Sequence, residues 1–132
     1  MKRRLYITLA ILHLFVAIGA IPAGYALFTK PDGSSLGMPT EWLEGSPFPD
    51  FFIPGLFLFI ILGLGNLLTA MPIFKQHKLS GIAGLSMGGI LVIWIIIQVV
   101  IVGLASFLQP LFFFVGLIQL MLGYWIFRLA KV

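Results

Sequence analysis

The sequence predicts an all-α membrane protein, an antiparallel bundle of four transmembrane helices. Both termini are expected in the cytoplasm, with a structured extracytoplasmic loop between helices 1 and 2. Of the 132 residues, 61% are hydrophobic and 9% are charged, whereas soluble domains average about 25% charged residues. The apolar residues form four runs near the roughly 20 residues that a spanning helix needs. These runs lack the period-two alternation of barrel strands, so residues 1–132 are predicted to form one helical transmembrane domain.

The four predicted helices follow the apolar runs in order along the chain. The first run follows Met-Lys-Arg-Arg, as a signal peptide would, and Gly24–Ala26 would serve as a cleavage site. Its length of about 24 residues exceeds the roughly 7–15 of a signal-peptide core, so a spanning helix is the preferred interpretation. The helices are predicted over Leu5–Phe28, Phe51–Phe74, Leu79–Leu104 and Leu108–Phe127.

The basic residues predict the orientation of the bundle. Seven of the eight Lys and Arg residues flank the ends that four antiparallel helices place on one side, whereas Lys30 lies opposite with all four acids. Cytoplasmic segments of membrane proteins carry an excess of Lys and Arg. So few basic residues, placed at helix ends, indicate a membrane partner rather than nucleic acid. The connections Lys75–Lys78 and Ala105–Pro110 are short, which makes consecutive helices antiparallel neighbours.

The predicted outer loop, residues 29–50, carries its own turn signals. Gly33 follows Pro-Asp in a turn that needs positive φ. Pro39–Leu43 is expected to form one helical turn ending before Gly45, and Asp50 is expected to cap helix 2. We expect the loop either to cover the bundle as a lid or to bind a partner. The candidate partner-binding residues are Glu41, Trp42, Glu44, Phe48 and Asp50.

Four polar residues within the predicted helices lie at matching depths. Each is eight or nine residues from a basic residue at the inner end of its helix, which places all four roughly 12–14 Å from the inner surface. The four are His13, Asn66, Ser86 and Gln119. They are expected either to hydrogen-bond between helices, as polar groups in membrane bundles do, or to line a small polar cavity in which His13 changes charge near neutral pH.

Small residues mark the faces that are expected to pack inward. Gly and Ala recur at helical spacing on the same faces as the polar residues, which lets backbones approach closely. The predicted faces are His13, Ala17, Ala20 and Gly24; Gly55, Phe59, Leu62, Asn66 and Thr69; Ser80, Gly84 and Gly88; and Gly116, Gln119 and Gly123.

A second candidate ligand site lies nearer the loop. Trp94 and Gln98 share one face of helix 3 and are included among the candidate ligand-binding residues. With Gln109, Tyr25 and the loop they would frame an outward pocket. The competing interpretation is that Gln98 is a core amide with its hydrogen bonds satisfied.

The remaining composition argues against catalysis. The chain has no cysteine, and no acid falls within a predicted helix. Two histidines without nearby inner carboxylates predict no metal site, and the Gly-rich run around Gly88 lacks the lysine of a phosphate loop. We therefore predict no catalytic residue, no cofactor and no enzymatic activity.

The segment PDGSSLGMPTEWLEGSPFPDFFIPGLFLFIILGLGN, together with Leu-Gln-Pro at Leu108–Pro110, resembles a family of bacterial integral membrane proteins of about 130 residues and four helices. The resemblance covers most of the chain and implies the bacterial plasma (inner) membrane, but no reaction. In size and helix number the chain is also weakly similar to the DoxX-like group. Four-helix multidrug exporters carry an acid in helix 1, where this chain has His13 at comparable depth.

Two functions are expected from these observations. The first is a small membrane accessory protein that acts through its outer loop on a membrane protein partner or on a second copy of itself. The alternative is a small transporter or lipophilic-ligand-binding protein with an intramembrane polar cavity around His13, Asn66 and Gln119.

Overall fold

A computed structural model describes residues 2–103 and 108–131. This part of the chain contains four long helices and no strand, and each helix is long and apolar enough to cross a membrane. The described part of the last helix starts at Leu108, and the predicted connection Ala105–Pro110 lies partly outside the described residues. The helices are α1 (Lys2–Thr29), α2 (Phe52–Phe74), α3 (Ser80–Val102) and α4 (Leu108–Lys131).

Helices α1 and α2 form a tight antiparallel pair, the first hairpin. Glycine brings the two backbones together, because a Cβ added at Gly24 would lie 2.5 Å from the backbone nitrogen of Phe59. A Cβ added at Gly55 would lie 2.7 Å from the backbone nitrogen of Phe28. Contacts this close exclude any side chain, so these glycines fix how the two helices face each other.

Helices α3 and α4 form the second hairpin in the same way. A Cβ added at Gly123 would lie 2.7 Å from the backbone nitrogen of Leu85, and one added at Gly88 would lie 2.9 Å from that of Leu120. Ser80, the other small residue of the predicted α3 stripe, is buried as well. The small-residue faces predicted for α3 and α4 are therefore confirmed.

Helix α2 contains a wide turn that the sequence did not predict. Over Leu58–Leu64 the backbone follows a π-helix, and the N–H of Gly65 donates to the carbonyl of Ile60, five residues back. Regular α-helix continues on both sides, over Phe52–Phe57 and Gly65–Phe74. Such turns occur as insertions within α-helices and are frequent at functional sites.

The segment between α1 and α2, residues 30–51, is called the lid below. Its ends are held together, since the N–H of Phe51 donates to the carbonyl of Pro31 at 2.9 Å. Gly33 has a φ of 78°, and a Cβ there would collide with the carbonyl of Met38. The N–H of Ser34 donates to Oδ1 of Asp32, and this bond lowers the pKa of that exposed carboxyl group.

Two short 3₁₀ turns, Ser34–Leu36 and Thr40–Leu43, shape the lid. The second turn agrees with the predicted helical turn, and Gly45 follows it with a φ of 86°. Apolar lid residues pack onto one end of the bundle in a cluster of three buried side chains with partly buried neighbours. The cluster comprises Leu27, Leu43 and Phe51, flanked by Met38, Phe48, Leu58 and Ile101.

Candidate functional site

Three polar side chains from three helices meet at the centre of the bundle. His13, Asn66 and Gln119 are each 0% exposed. Nδ1 of His13 lies 2.5 Å from Oδ1 of Asn66, and Nε2 of Gln119 lies 3.1 Å from the same histidine nitrogen. These three residues, called the polar layer below, join the first hairpin to the second. The prediction that they share one depth and face inward is confirmed.

The hydrogen bonds assign the histidine tautomer. Nδ2 of Asn66 donates to the carbonyl of Leu62 at 2.7 Å, which fixes the amide so that its oxygen faces His13. A carbonyl oxygen only accepts, so the hydrogen must sit on Nδ1 of His13. Nε2 of Gln119 then donates to Oδ1 of Asn66 over a long 3.5 Å contact, because a protonated Nδ1 does not accept.

This assignment leaves two acceptors within the polar layer. Nε2 of His13 and Oε1 of Gln119 are buried and have no hydrogen-bond partner in the described part of the chain. Burying polar groups without partners costs about 1–3 kcal/mol each. The layer thus joins three helices in one arrangement, and its three side chains are closed to solvent.

Ser86 does not join the polar layer, contrary to the prediction. Its side chain is exposed on the outer surface of α3. The direction of Ser86 around the helix was therefore predicted wrongly. Ser86 lies two residues from both Gly84 and Gly88, and at 100° per residue that places it on the face opposite these buried glycines.

A large, partly open space lies on the lid side of the polar layer, between the two hairpins. It has a volume of about 620 Å³ and is called the lid-side cavity below. Val16, Leu62 and Leu91 lie at its deep end, and Leu62 connects it to the polar layer through the carbonyl that Asn66 binds. None of His13, Asn66 and Gln119 lines this cavity, so it is not the polar cavity predicted around these three residues.

Helix α3 contributes the predicted candidates Trp94 and Gln98 to the lid-side cavity. Trp94 stacks on Phe57 of α2, with ring centroids 4.7 Å apart. Nε2 of Gln109 in α4 lies 3.5 Å from Oε1 of Gln98, which is a long hydrogen bond. Tyr25, expected at the same pocket, is instead 57% exposed and does not line it.

The lid residues proposed for partner binding divide into two groups. Trp42 and Phe48 line the lid-side cavity, whereas Glu41 and Glu44 are exposed. Asp50 lies one residue before the helix cap, and its Oδ1 accepts the N–H of Phe52 at 3.0 Å. The lid thus places the aromatic side chains of Trp42 and Phe48 toward the bundle and leaves the carboxylates of Glu41 and Glu44 exposed.

Most residues of the cavity wall were not predicted from the sequence as site residues. On α1 the wall is made of apolar and small residues, which carry no chemical signal of their own. Their signal was size, because Gly19, Ala20 and Ala23 leave room where α1 faces α3 and α4. From the lid, Met38, Leu43 and Phe51 also face the cavity.

The chain matches no protein-family model, no curated protein and no solved structure. Within the described ranges, no three His, Asp or Glu side chains come together as a metal site would require.

Proposed function

We propose that this protein binds a lipophilic molecule of the membrane in the lid-side cavity. The carrying observation is an apolar space of about 620 Å³ between two tightly packed hairpins, with aromatic lid residues at its mouth. The sequence predicted such a function only for a cavity around His13, Asn66 and Gln119, and none of these residues lines the space on which this proposal rests. The role is one of binding, without a chemical reaction.

The size of the cavity supports a ligand rather than a packing defect. Small-molecule sites measure about 300–1,000 Å³ and are mostly apolar with a few placed polar groups. The described residues that line this space are mostly apolar, with polar atoms contributed by the two tryptophans Trp42 and Trp94 and the two glutamines Gln98 and Gln109, which fits such a site.

The proposed membrane and orientation rest on charge and on resemblance. We propose that both termini and the loop at Lys75–Lys78 lie in the cytoplasm, because these segments hold seven of the eight basic residues. The lid then lies on the extracytoplasmic side, and the cavity lies in the outer half of the bilayer. The resemblance to small bacterial four-helix proteins supports the bacterial plasma membrane.

Tryptophan quenching tests the proposal directly. In a Trp125→Phe background the remaining tryptophans, Trp42 and Trp94, both line the cavity. The protein is placed in bilayer discs of unbrominated lipid, and a dibrominated fatty acid methyl ester is titrated in. Binding in the cavity is expected to give quenching that saturates at a low mole fraction of probe, whereas probe in the surrounding bilayer quenches in proportion to its amount.

A matched pair of variants on α1 controls this experiment. Ala23 lines the cavity and Ala26 does not, although both are half-buried. Ala23→Leu fills part of the cavity and is expected to abolish the saturable quenching. Ala26→Leu adds the same volume elsewhere and is expected to retain it. Saturable quenching that is equal in both variants, or absent from the parent protein, would refute the proposal.

A second candidate function is an interaction of the lid with a protein partner. It is favoured by the exposure of Glu41 and Glu44 on the side of the lid that faces away from the bundle. The test is co-purification from the native membrane. A partner retained by the parent protein and by Ala23→Leu, but lost in Glu41→Lys with Glu44→Lys, would support this function over ligand binding.

A further inference from the structure

The chemical character of the cavity wall narrows the ligand. None of the described residues that line the lid-side cavity is charged. Charged groups are costly within a bilayer unless they are paired, and this wall offers no counter-ion to a charged ligand. A phosphate, carboxylate or ammonium group inside the cavity would therefore be desolvated without compensation.

The wall does offer hydrogen-bonding groups: the indole N–H of Trp94, which is buried and has no hydrogen-bond partner in the described part of the chain, and one turn nearer the lid a pair of amides. Gln98 and Gln109 face each other across the second hairpin, and Nε2 of Gln109 donates to Oε1 of Gln98 over 3.5 Å. Nε2 of Gln98 carries two hydrogens, and the contact with Gln109 uses the Oε1 atom of Gln98 and leaves Nε2 out. The amide of Gln98 is half-buried in the wall, so it presents a donor to whatever fills the cavity.

The position of these amides gives the ligand a direction. Gln98 lies seven residues along α3 from Leu91 at the deep end, which is about 10 Å. On α1 the cavity extends from Val16 to Leu27, about 17 Å. The amides therefore lie in the lid-side half, with the indole N–H of Trp94 one turn deeper and apolar side chains beyond it, on the side of the polar layer.

We infer that the ligand is an uncharged lipophile whose polar end carries an oxygen acceptor, such as an ester, ketone or quinone carbonyl. The oxygen accepts a hydrogen bond from Gln98 near the lid, and the apolar tail extends toward Val16, Leu62 and Leu91. This inference rests on the proposed function, since it names the class of molecule bound at the same site.

Three brominated probes with the same chain test the inference. They are a methyl ester, the plain hydrocarbon and an alkyl sulfate, each titrated in the Trp125→Phe background. One hydrogen bond typically contributes about 0.5–1.5 kcal/mol, so the ester is expected to bind roughly five-fold more tightly than the hydrocarbon. The sulfate, which is always charged, is expected to give no saturable quenching.

Two glutamine substitutions complete the test. In Gln98→Leu the preference for the ester over the hydrocarbon is expected to fall to about one. Gln119→Leu, the same change in the polar layer outside the cavity, is expected to keep the preference. Should Gln98→Leu fail to fold, Gln98→Met provides the same loss of hydrogen bonding at closely matched shape.

The outcomes distinguish an error in the ligand class from a failure of cavity binding itself. Equal saturable binding of ester and hydrocarbon by the parent protein, saturable binding of the sulfate, or an unchanged ester preference in Gln98→Leu would overturn the ligand class while leaving cavity binding intact. If none of the three probes quenches in a saturable manner, the proposed function itself fails, and the inference with it.

Discussion

Two adjacent glycines in α3 differ in how much space an added methyl group would have. A Cβ at Gly88 would lie 2.9 Å from the backbone nitrogen of Leu120 and 3.0 Å from the carbonyl oxygen of Gly116, whereas a Cβ at Gly89 meets nothing nearer than a side-chain carbon at 3.8 Å. Gly88→Ala therefore forces two backbones apart, and Gly89→Ala does not. Because the residues are neighbours in one helix, the gain in helix propensity is about 1 kcal/mol for each.

The magnitude follows from the displacement. Heavy atoms pack at about 3.5–4.0 Å, so α3 and α4 must separate by about 0.6 Å at Gly88. A gap of that size loses roughly a quarter to a half of each atom pair's attraction of about 0.1–0.2 kcal/mol. Over about forty pairs along the helix interface the loss is about 2 kcal/mol. The propensity terms cancel in the comparison, so Gly88→Ala should be about 2 kcal/mol less stable than Gly89→Ala.

Equilibrium unfolding measures this difference. Each variant is refolded and unfolded in mixed micelles of increasing SDS content, and helix content is followed by far-ultraviolet circular dichroism. We expect Gly89→Ala to be as stable as the parent protein or slightly more stable. If the two variants unfold within 0.5 kcal/mol of each other, the close approach of α3 and α4 at Gly88 is not as described.

Three further predictions concern the polar layer, the lid and the topology. Asn66→Leu leaves the Nδ1–H of His13 buried without an acceptor and should lower the unfolding free energy by about 2 kcal/mol. The double variant Asn66→Leu, His13→Leu should lose less unfolding free energy than the sum of the two single variants. Strictly additive losses would contradict the hydrogen bond between His13 and Asn66. Asp50→Ala removes the acceptor for the first N–H of α2 and should cost about 1 kcal/mol, whereas Asp50→Asn should retain most of that stability; equal losses in thermal unfolding would count against this role. Because the chain lacks cysteine, Ser35→Cys and Gln76→Cys each provide a single thiol. A membrane-impermeant maleimide should label the cysteine at position 35 in intact cells and the cysteine at position 76 only after lysis. The reverse pattern would contradict the proposed orientation.

The helices and the polar layer were predictable because each leaves a periodic trace in the sequence. Long apolar runs mark the helices, and equal distances from basic helix ends placed His13, Asn66 and Gln119 at one depth. Ser86 shows the limit of that count, because distance along a helix gives depth but not direction. The glycine spacing of α3 supplies the missing direction, because it places Ser86 on the face opposite Gly84 and Gly88.

The lid-side cavity was harder to predict, because a cavity is made by what the surrounding residues leave unfilled. Trp94 and Gln98 were recognised through their polar atoms, whereas Ala20 and Ala23 looked like ordinary packing residues. Trp42 and Phe48 were predicted as candidate partner-binding residues, whereas both line the lid-side cavity. Their inward direction depends on how the short turn at Thr40–Leu43 sits on the bundle, a long-range contact that no local pattern specifies.

The wide turn of α2 gives this helix a tolerance to changes in length that the other three lack. Over Leu58–Leu64 the backbone holds one residue more than a regular α-helix needs. Loss of a single residue there would convert the turn to regular helix and leave Gly55 and Asn66 facing their present neighbours. The same loss in the middle of α3 would rotate everything beyond it by about 100° and turn its glycine face away from α4. We therefore expect the fold to tolerate the deletion of one residue within Leu58–Leu64 but not at Gly88.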